Sequence, residues 1–138
     1  MRIMGLDFGT KRIGIAVSDE LFITAQGMDS LYSKDPKTDI EAISKLVQDN
    51  SVEEIVVGLP LNMNGSQSTK TKEVIEFVDR LSKAVTVPVK TWDERLTSMQ
   101  AERVLLEADM SRAKRRKLSD KVAAQIILQS YLDSRKKG

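Results

Sequence analysis

The sequence predicts an α/β domain built on a mixed five-stranded sheet with helices on both faces. Near the N-terminus, apolar residues alternate with small or polar ones, and this period of two residues is typical of β-strands. After Pro36, segments with helical apolar spacing alternate with short apolar runs, as when strands are joined through helices. The chain has 138 residues, about the size of one domain, so we expect residues 1–138 to form a single domain.

The first third of the chain predicts three strands that pair antiparallel. Ile3–Asp7 is an apolar run that ends in an acid, and the turn Gly9–Arg12 leads into the alternating run Ile13–Val17. A third strand is expected over Phe22–Leu31, with a candidate bulge at Gly27. Connections this short favour an antiparallel meander.

Helices and strands alternate in the middle of the chain. Pro36 is expected to open a helix that ends at Asp49–Ser51, and Glu54–Gly58 predicts a short buried strand. A second helix is expected from about Thr69. Val85–Trp92 then predicts the last strand, and the proline within it at position 88 favours the edge of the sheet.

The rest of the chain predicts two helices separated by a basic stretch. Thr97 and Gln100 have the form of a capping box, the basic stretch Arg112–Lys117 interrupts, and Ser119 is expected to cap the final helix. Strands joined through helices pair in parallel, so the last two strands should run parallel to the first. The resulting order, β-β-β-α-β-α-β-α-α, is that of the ribonuclease H-like fold.

The residue types that are absent exclude several kinds of chemistry. The chain has no cysteine and no histidine, which excludes disulfide scaffolds, thiolate nucleophiles, Cys/His zinc sites and Ser-His-Asp triads. Any metal must be held by oxygen ligands, which favours Mg²⁺ or Mn²⁺. No signal peptide and no apolar run near the ~18 residues of a membrane span is visible, so we expect a cytoplasmic protein that contacts no membrane.

Acidic residues at the ends of predicted elements are candidate catalytic residues and metal ligands. Asp7 ends the first strand, and α/β sheets bind ligands at the carboxyl ends of their strands. Asp93 and Glu94 end the last strand at the same edge. Neighbouring strand residues point to opposite faces, so one of the two suffices as a ligand, and we favour Glu94. Asp120 begins the predicted final helix.

Each acid also has a structural alternative. Asp7 could cap its turn, Asp93 and Glu94 could belong to a charged loop, and an acid at Asp120 suits the dipole of its helix. Under the functional interpretation, the carboxylates would surround one or two divalent ions, which activate an attacking water and stabilise the leaving oxygen of a phosphodiester.

Basic and amide residues near the same edge are candidate contacts for nucleic acid. The net charge is only +2, but its distribution forms a local basic patch. The candidates are Lys11, Arg12, Asn64, Arg95, Arg112, Lys114, Arg115, Arg116 and Lys117. Alternatively, Arg95 bridges a neighbouring acid, Asn64 lies in a plain connecting loop, and the basic stretch is a solvated loop between helices.

Taken together, these residues resemble the YqgF/RuvX family of the ribonuclease H-like superfamily, which is related to the RuvC resolvases. The resemblance covers essentially the whole chain and rests on Gly5–Ala16, Val57–Pro60 with Asn64–Gly65, Asp93–Ser98, and Asp120 with Ala123–Ala124. It implies a nuclease that matures the 5′ end of pre-16S ribosomal RNA in ribosome biogenesis. It also implies that Asp7, Glu94 and Asp120 are the metal-binding acids.

Other functions fit the same residues. An older description of the family is Holliday junction resolvase, which acts on branched DNA and needs two symmetry-related sites. A monomer and a homodimer both stay open, as do RNA and DNA substrates. A non-catalytic RNA-binding assembly factor is another alternative. A nucleotide phosphotransferase is a third, because Asp7–Thr10 also looks like the phosphate loop of actin-like ATPases and sugar kinases.

Overall fold

The computed structural model describes residues 1–95 and 112–137, and it describes their side chains except at 112–121, 136 and 137. Strands and helices follow the predicted order through the fifth strand. They are β1 (Arg2–Phe8), β2 (Arg12–Ser18), β3 (Ala25–Tyr32), α1 (Pro36–Asp49), β4 (Val52–Leu59), α2 (Thr69–Ala84), β5 (Val89–Asp93) and α3 (Arg112–Lys137).

The strands form one five-stranded sheet in the order β3-β2-β1-β4-β5. β2 pairs antiparallel with both β1 and β3, whereas β4 pairs parallel with β1 and β5 pairs parallel with β4. This arrangement confirms the predicted sheet and the edge position of β5. Since β1 is central, its carboxyl end lies beside that of β4, where the loops before α2 also begin.

Two strands are shorter than predicted. β3 begins at Ala25 because a turn precedes it: Asp19 accepts hydrogen bonds from the backbone N–H groups of Ile23 and Thr24 at 2.7 and 3.0 Å. β5 begins at Val89. Val85 caps the end of α2, where its N–H donates to Leu81 O at 3.1 Å, and residues 86–88 connect this cap to β5.

Two further expectations are wrong. Gly27 is no bulge, because it pairs with Ala16, and the irregularity falls between the partners of Ile13 and Ile15. The final helix also does not begin at Ser119 after a basic loop. Helix α3 starts at Arg112 and continues through the basic stretch and Ser119 to Lys137. Alanine, leucine, lysine and arginine are strong helix formers, and they outweigh the serine as a boundary signal. The predicted capping box at Thr97 and its helix lie outside the described residues.

Apolar residues form a separate core on each face of the sheet. On the face covered by α1 and α2, the larger cluster includes Leu6, Ile43 and Val74. On the other face, the cluster joins the sheet to α3 and includes Ile3, Val56 and Leu128. Helices therefore cover both faces, as predicted.

The helix α3 lies close to the sheet and runs antiparallel to β4. A Cβ on Gly5 would lie 2.8 Å from Leu128 Cβ, so glycine permits this approach of helix to strand. Ile127 contacts Gly58 near the carboxyl end of β4, whereas the Tyr131 hydroxyl donates to Glu54 near its start. The N-terminal half of α3 is therefore directed to the carboxyl edge of the sheet.

In the described part of the chain, no helix is both long enough and apolar enough to cross a membrane.

Candidate active site

Strand register brings Asp7 and Glu94 to the same face of the sheet. β1 and β4 pair in parallel up to Leu6 and Val57, so the next residues, Asp7 and Gly58, are neighbours in the same register. Gly58 pairs in turn with Trp92 on β5. Strand residues alternate between faces. Glu94, two residues after Trp92, therefore returns to the face covered by α3, while Asp93 belongs to the opposite face.

Asp7 lies between glycines on both neighbouring strands. Gly14 on β2 is its cross-strand partner, and Gly58 is its neighbour on β4. A Cβ on Gly58 would overlap Glu94 Oε2 and would lie 2.5 Å from Ile127 Cδ1. The absence of a side chain at Gly58 thus lets Glu94 extend across β4 toward Asp7. Gly58 carries no carboxylate itself, but its missing side chain leaves room for the side chain of Glu94, which follows the next strand.

The two carboxyl groups interact directly. Burial of Glu94, followed by the charge of Asp7 and a hydrogen bond to it, raises the pKa of Glu94 from its ordinary 4.5 to about 8, although the Lys70 charge partly opposes this. Two carboxylates this close cannot both ionise without cost. At neutral pH the pair therefore holds a proton, or a cation can take the proton's place.

Lys70 is a third member of this site that the sequence did not single out. Its ammonium donates to Gly9 O at 3.3 Å and lies 5.7 Å from the centroid of the Phe8 ring. Lys70 follows the first residue of α2, where the positive end of the helix dipole disfavours a cation. A lysine at a position that favours an acid is the sequence signal that could have identified it.

Asp93 is paired with Arg95 rather than with Asp7. The Arg95 backbone N–H and Nε donate to Asp93 Oδ1 and Oδ2 at 3.0 and 2.8 Å, and these bonds lower the pKa of the Asp93 carboxyl. Arg95 also donates from Nη1 to Met63 O at 3.3 Å. Arg95 thus bridges a neighbouring acid, the structural alternative, and it ties the end of β5 to the loop before α2.

The loop that carries Asn64 is an ordered turn. Asn64 Oδ1 accepts from the Ser66 backbone N–H and hydroxyl at 2.9 and 2.6 Å, and the Asn62 N–H donates to Ser66 O at 2.9 Å. Gly65 adopts φ = 87°, which favours glycine. The carboxamide oxygen of Asn64 therefore shapes its own loop, beside the Arg95 side chain.

Lys11 and Arg12 lie at the same carboxyl edge as Asp7. The Gly9 N–H donates to Arg12 O at 2.8 Å and closes the turn between β1 and β2. Lys11 is exposed in this turn. The Arg12 guanidinium lies 6.0 Å from the centroid of the Tyr32 ring.

The remaining candidates are on the N-terminal half of α3. Asp120 precedes Ile127, which packs on Gly58, by about two helical turns. The helix backbone at Asp120 therefore lies in the direction of the carboxyl edge. The side chains of Asp120, Arg112, Lys114, Arg115, Arg116 and Lys117 lie outside the described part of the structure. Among the side chains it does describe, no group of three or more acidic residues could hold a metal ion.

Known proteins match the sequence of this chain over nearly its whole length. The family model RuvX, described as Holliday junction resolvase, matches residues 1–134. A protein of Halothermothrix orenii named "Putative pre-16S rRNA nuclease" is 53% identical over 137 residues, which cover 99% of this chain and 98% of the relative. A protein of the same name from Syntrophomonas wolfei is 56% identical over 133 residues, which cover 96% and 94%.

Solved structures agree on the fold. T. thermophilus RuvC in complex with a Holliday junction substrate matches with a TM-score of 0.63 at 16% identity, covering 99% of this chain and 96% of that one. The fowlpox virus resolvase in complex with Holliday junction DNA matches with a TM-score of 0.61 at 16% identity, covering 98% and 99%. These matches confirm the predicted ribonuclease H-like fold.

Proposed function

The chain belongs to the RuvX family, and on this premise we propose that it is a metal-dependent nuclease that hydrolyses phosphodiester bonds in precursor 16S ribosomal RNA. The observation that carries the proposal is the contact between the Asp7 and Glu94 carboxyl groups at the carboxyl edge of the sheet. The names of the relatives at about half identity supply the substrate.

The donor set fits a hard divalent cation. The chain offers oxygen ligands and no histidine or cysteine. Burial and, after it, the charge of Asp7 raise the pKa of Glu94, and a bound cation would relieve the repulsion between the two carboxylates. We propose Asp7 and Glu94 as ligands of Mg²⁺ or Mn²⁺, with Asp120 as the third. When bound, such an ion acidifies a water and neutralises charge that develops on the phosphate.

Lys70, Lys11 and Arg12 suit the phosphate groups of the substrate. The Lys70 ammonium is half-buried and is oriented by Gly9 O, so ordering it costs little entropy when a phosphate oxygen binds. Lys11 and Arg12 lie on the neighbouring turn and can contact phosphates further along the strand. We propose that Asp93 and Arg95 act indirectly, by fixing the end of β5 from which Glu94 extends.

Purified protein tests the proposal against a pre-16S 5′-leader RNA and a four-way DNA junction, each with Mn²⁺, Mg²⁺ or EDTA. We expect cleavage of the RNA that requires the metal and is lost in Asp7→Asn and Glu94→Gln. Glu41→Gln, which removes an exposed carboxylate on α1, is the matched control and should cleave like the wild type. Ribosomal RNA maturation would place the protein in the cytoplasm.

A Holliday junction resolvase is the second candidate, because the family model carries that description. Cleavage of the junction alone, by a protein that is dimeric in solution, would favour it over the RNA nuclease. Tight RNA binding without cleavage under any metal condition would instead support a non-catalytic assembly factor and would refute both nuclease proposals.

A further inference from the structure

An exposed aromatic ring lies on the same face and edge of the sheet as the acidic pair. Arg12 pairs with Tyr32 across β2 and β3, and Arg12 is two residues from Gly14, the cross-strand partner of Asp7. Because paired strand residues share a face and alternate residues return to it, Tyr32 and Asp7 lie on one face. Arg12 lies between them.

Tyr32 has the surroundings of a binding residue rather than of a core residue. It is 65% exposed, and the Arg12 guanidinium lies 6.0 Å from its ring centroid. A tyrosine that stabilises a fold is usually buried and gives its hydroxyl a hydrogen-bond partner.

The spacing between Tyr32 and Asp7 matches a strand of nucleic acid. β3 and β1 are separated by β2, and Arg12, the partner of Tyr32, is two residues from Gly14, the partner of Asp7. The two residues are therefore about 10 Å apart across the sheet and about 7 Å along it, or about 12 Å in all. An extended single strand covers such a distance in about two nucleotides. A base over the Tyr32 ring would therefore leave a nearby phosphodiester within reach of the acidic pair.

We propose that Tyr32, held by Arg12, is a stacking site for an unpaired nucleobase, so that the substrate is single-stranded next to the bond that is cut. The proposal rests on the proposed nuclease function and names the form of substrate that the site accepts. Stacking on an aromatic ring requires an exposed base face, which a continuous duplex does not offer. The adjacent guanidinium supplies a positive charge for the backbone of the same strand.

Binding without catalysis tests this proposal independently of cleavage. Fluorescence anisotropy in EDTA would compare a labelled single-stranded RNA with the same RNA in a full duplex. We expect Tyr32→Ala to weaken single-strand binding about tenfold, the lower part of the range for loss of a base–aromatic stack, and to leave duplex binding unchanged. Tyr32→Phe, which keeps the ring, should bind like the wild type. Leu21→Ala, at a side chain 76% exposed, is the control for loss of exposed apolar area.

Tyr32→Trp gives a direct optical readout. The chain has a single tryptophan, Trp92, so the quenching of the wild type is subtracted as background. Single-stranded RNA should quench the remaining signal of position 32 more than duplex RNA does. Equal single-strand affinity of wild type and Tyr32→Ala would overturn the proposal. So would equal losses for single strand and duplex, or a Tyr32→Phe variant as weak as Tyr32→Ala. If these variants behave as expected but no metal supports cleavage, the proposed nuclease function fails and the stacking site stands.

Discussion

Asp7→Asn should abolish cleavage and at the same time stabilise the metal-free protein at high pH. In the native state the pKa of Glu94 is raised from 4.5 to about 8, so the folded protein binds this proton more tightly than the unfolded chain does. The associated stability is fully present below about pH 4.5 and is lost as the pH rises to about 8.

The raised pKa sets the size of the effect. Each pH unit corresponds to about 1.4 kcal/mol, so the whole displacement from 4.5 to about 8 is an upper bound of about 5 kcal/mol. Burial is its largest cause and persists in the variant, whereas the charge of Asp7 is removed. We therefore expect Asp7→Asn to gain about 1–2 kcal/mol at pH 8.5, or roughly 3–8 °C in Tm for a domain of this size.

Thermal denaturation at pH 5 and pH 8.5, in EDTA and in Mn²⁺, measures both parts of this prediction. The variant should equal the wild type at pH 5, exceed it at pH 8.5 in EDTA, and fail to gain stability from Mn²⁺. Glu41→Gln should follow the wild type throughout. A variant that is destabilised equally at both pH values, or that responds to Mn²⁺ like the wild type, would refute the coupling of Asp7 to Glu94.

Further substitutions address the other members of the site. Gly58→Ala should lower cleavage at least tenfold, because a Cβ at this position overlaps Glu94 and displaces it. Equal activity of Gly58→Ala and wild type would contradict this. Lys70→Met should reduce kcat/KM roughly 10–100-fold, the value of a charge-assisted hydrogen bond, and Lys70→Arg should restore part of it. Since the Lys70 charge lowers the pKa of Glu94, its removal should raise that pKa. The acidic limb of the pH–rate profile of Lys70→Met should therefore move to higher pH, and an unchanged limb would argue against the coupling of Lys70 to Glu94. Arg95→Ala should lower kcat severalfold, because the end of β5 that carries Glu94 is released from Met63. Steady-state cleavage measures this, and an unchanged kcat would contradict it.

Periodicity predicted the sheet because each strand has a buried face with a period of two and each helix a stripe with a period near 3.6. Pro36 and Thr69 begin their helices as expected. Predicted strand boundaries were wrong where local hydrogen bonds outweighed the apolar pattern. The turn at Asp19, which delays the start of β3, is one example. The basic stretch was predicted to be a solvated loop because of its charge. It is helical instead, since its residue types are strong helix formers.

The acidic site was predictable in part. The end of β1 pointed to Asp7, and alternation along a strand indicated that only one of Asp93 and Glu94 need face the site. The register of β5 with β4 is what puts Glu94 on the face of Asp7. Tyr32 was beyond pattern analysis, because its place depends on a contact with Arg12, which is distant in sequence. Lys70 offered one local signal, a cation in the first turn of a helix, but its contact with Gly9 O follows only from the fold. A lone charged or aromatic side chain has no period, so its place in space follows only once the sheet order is known.

The position of Glu94 on an edge strand explains the contacts around it. Among the residues that the structure describes, β5 has a neighbour strand on one side only, so its end lacks the second row of hydrogen bonds that holds a central strand. The Glu94 N–H donates to Leu59 O at 3.2 Å, and Arg95 joins Asp93 to Met63 O. These bonds fix the end of β5 against the loop, while Gly58 keeps the path to Asp7 open. An acid that extends across a neighbouring strand thus needs both a rigid base and an empty position, and the chain supplies them with an arginine and a glycine rather than with a further carboxylate.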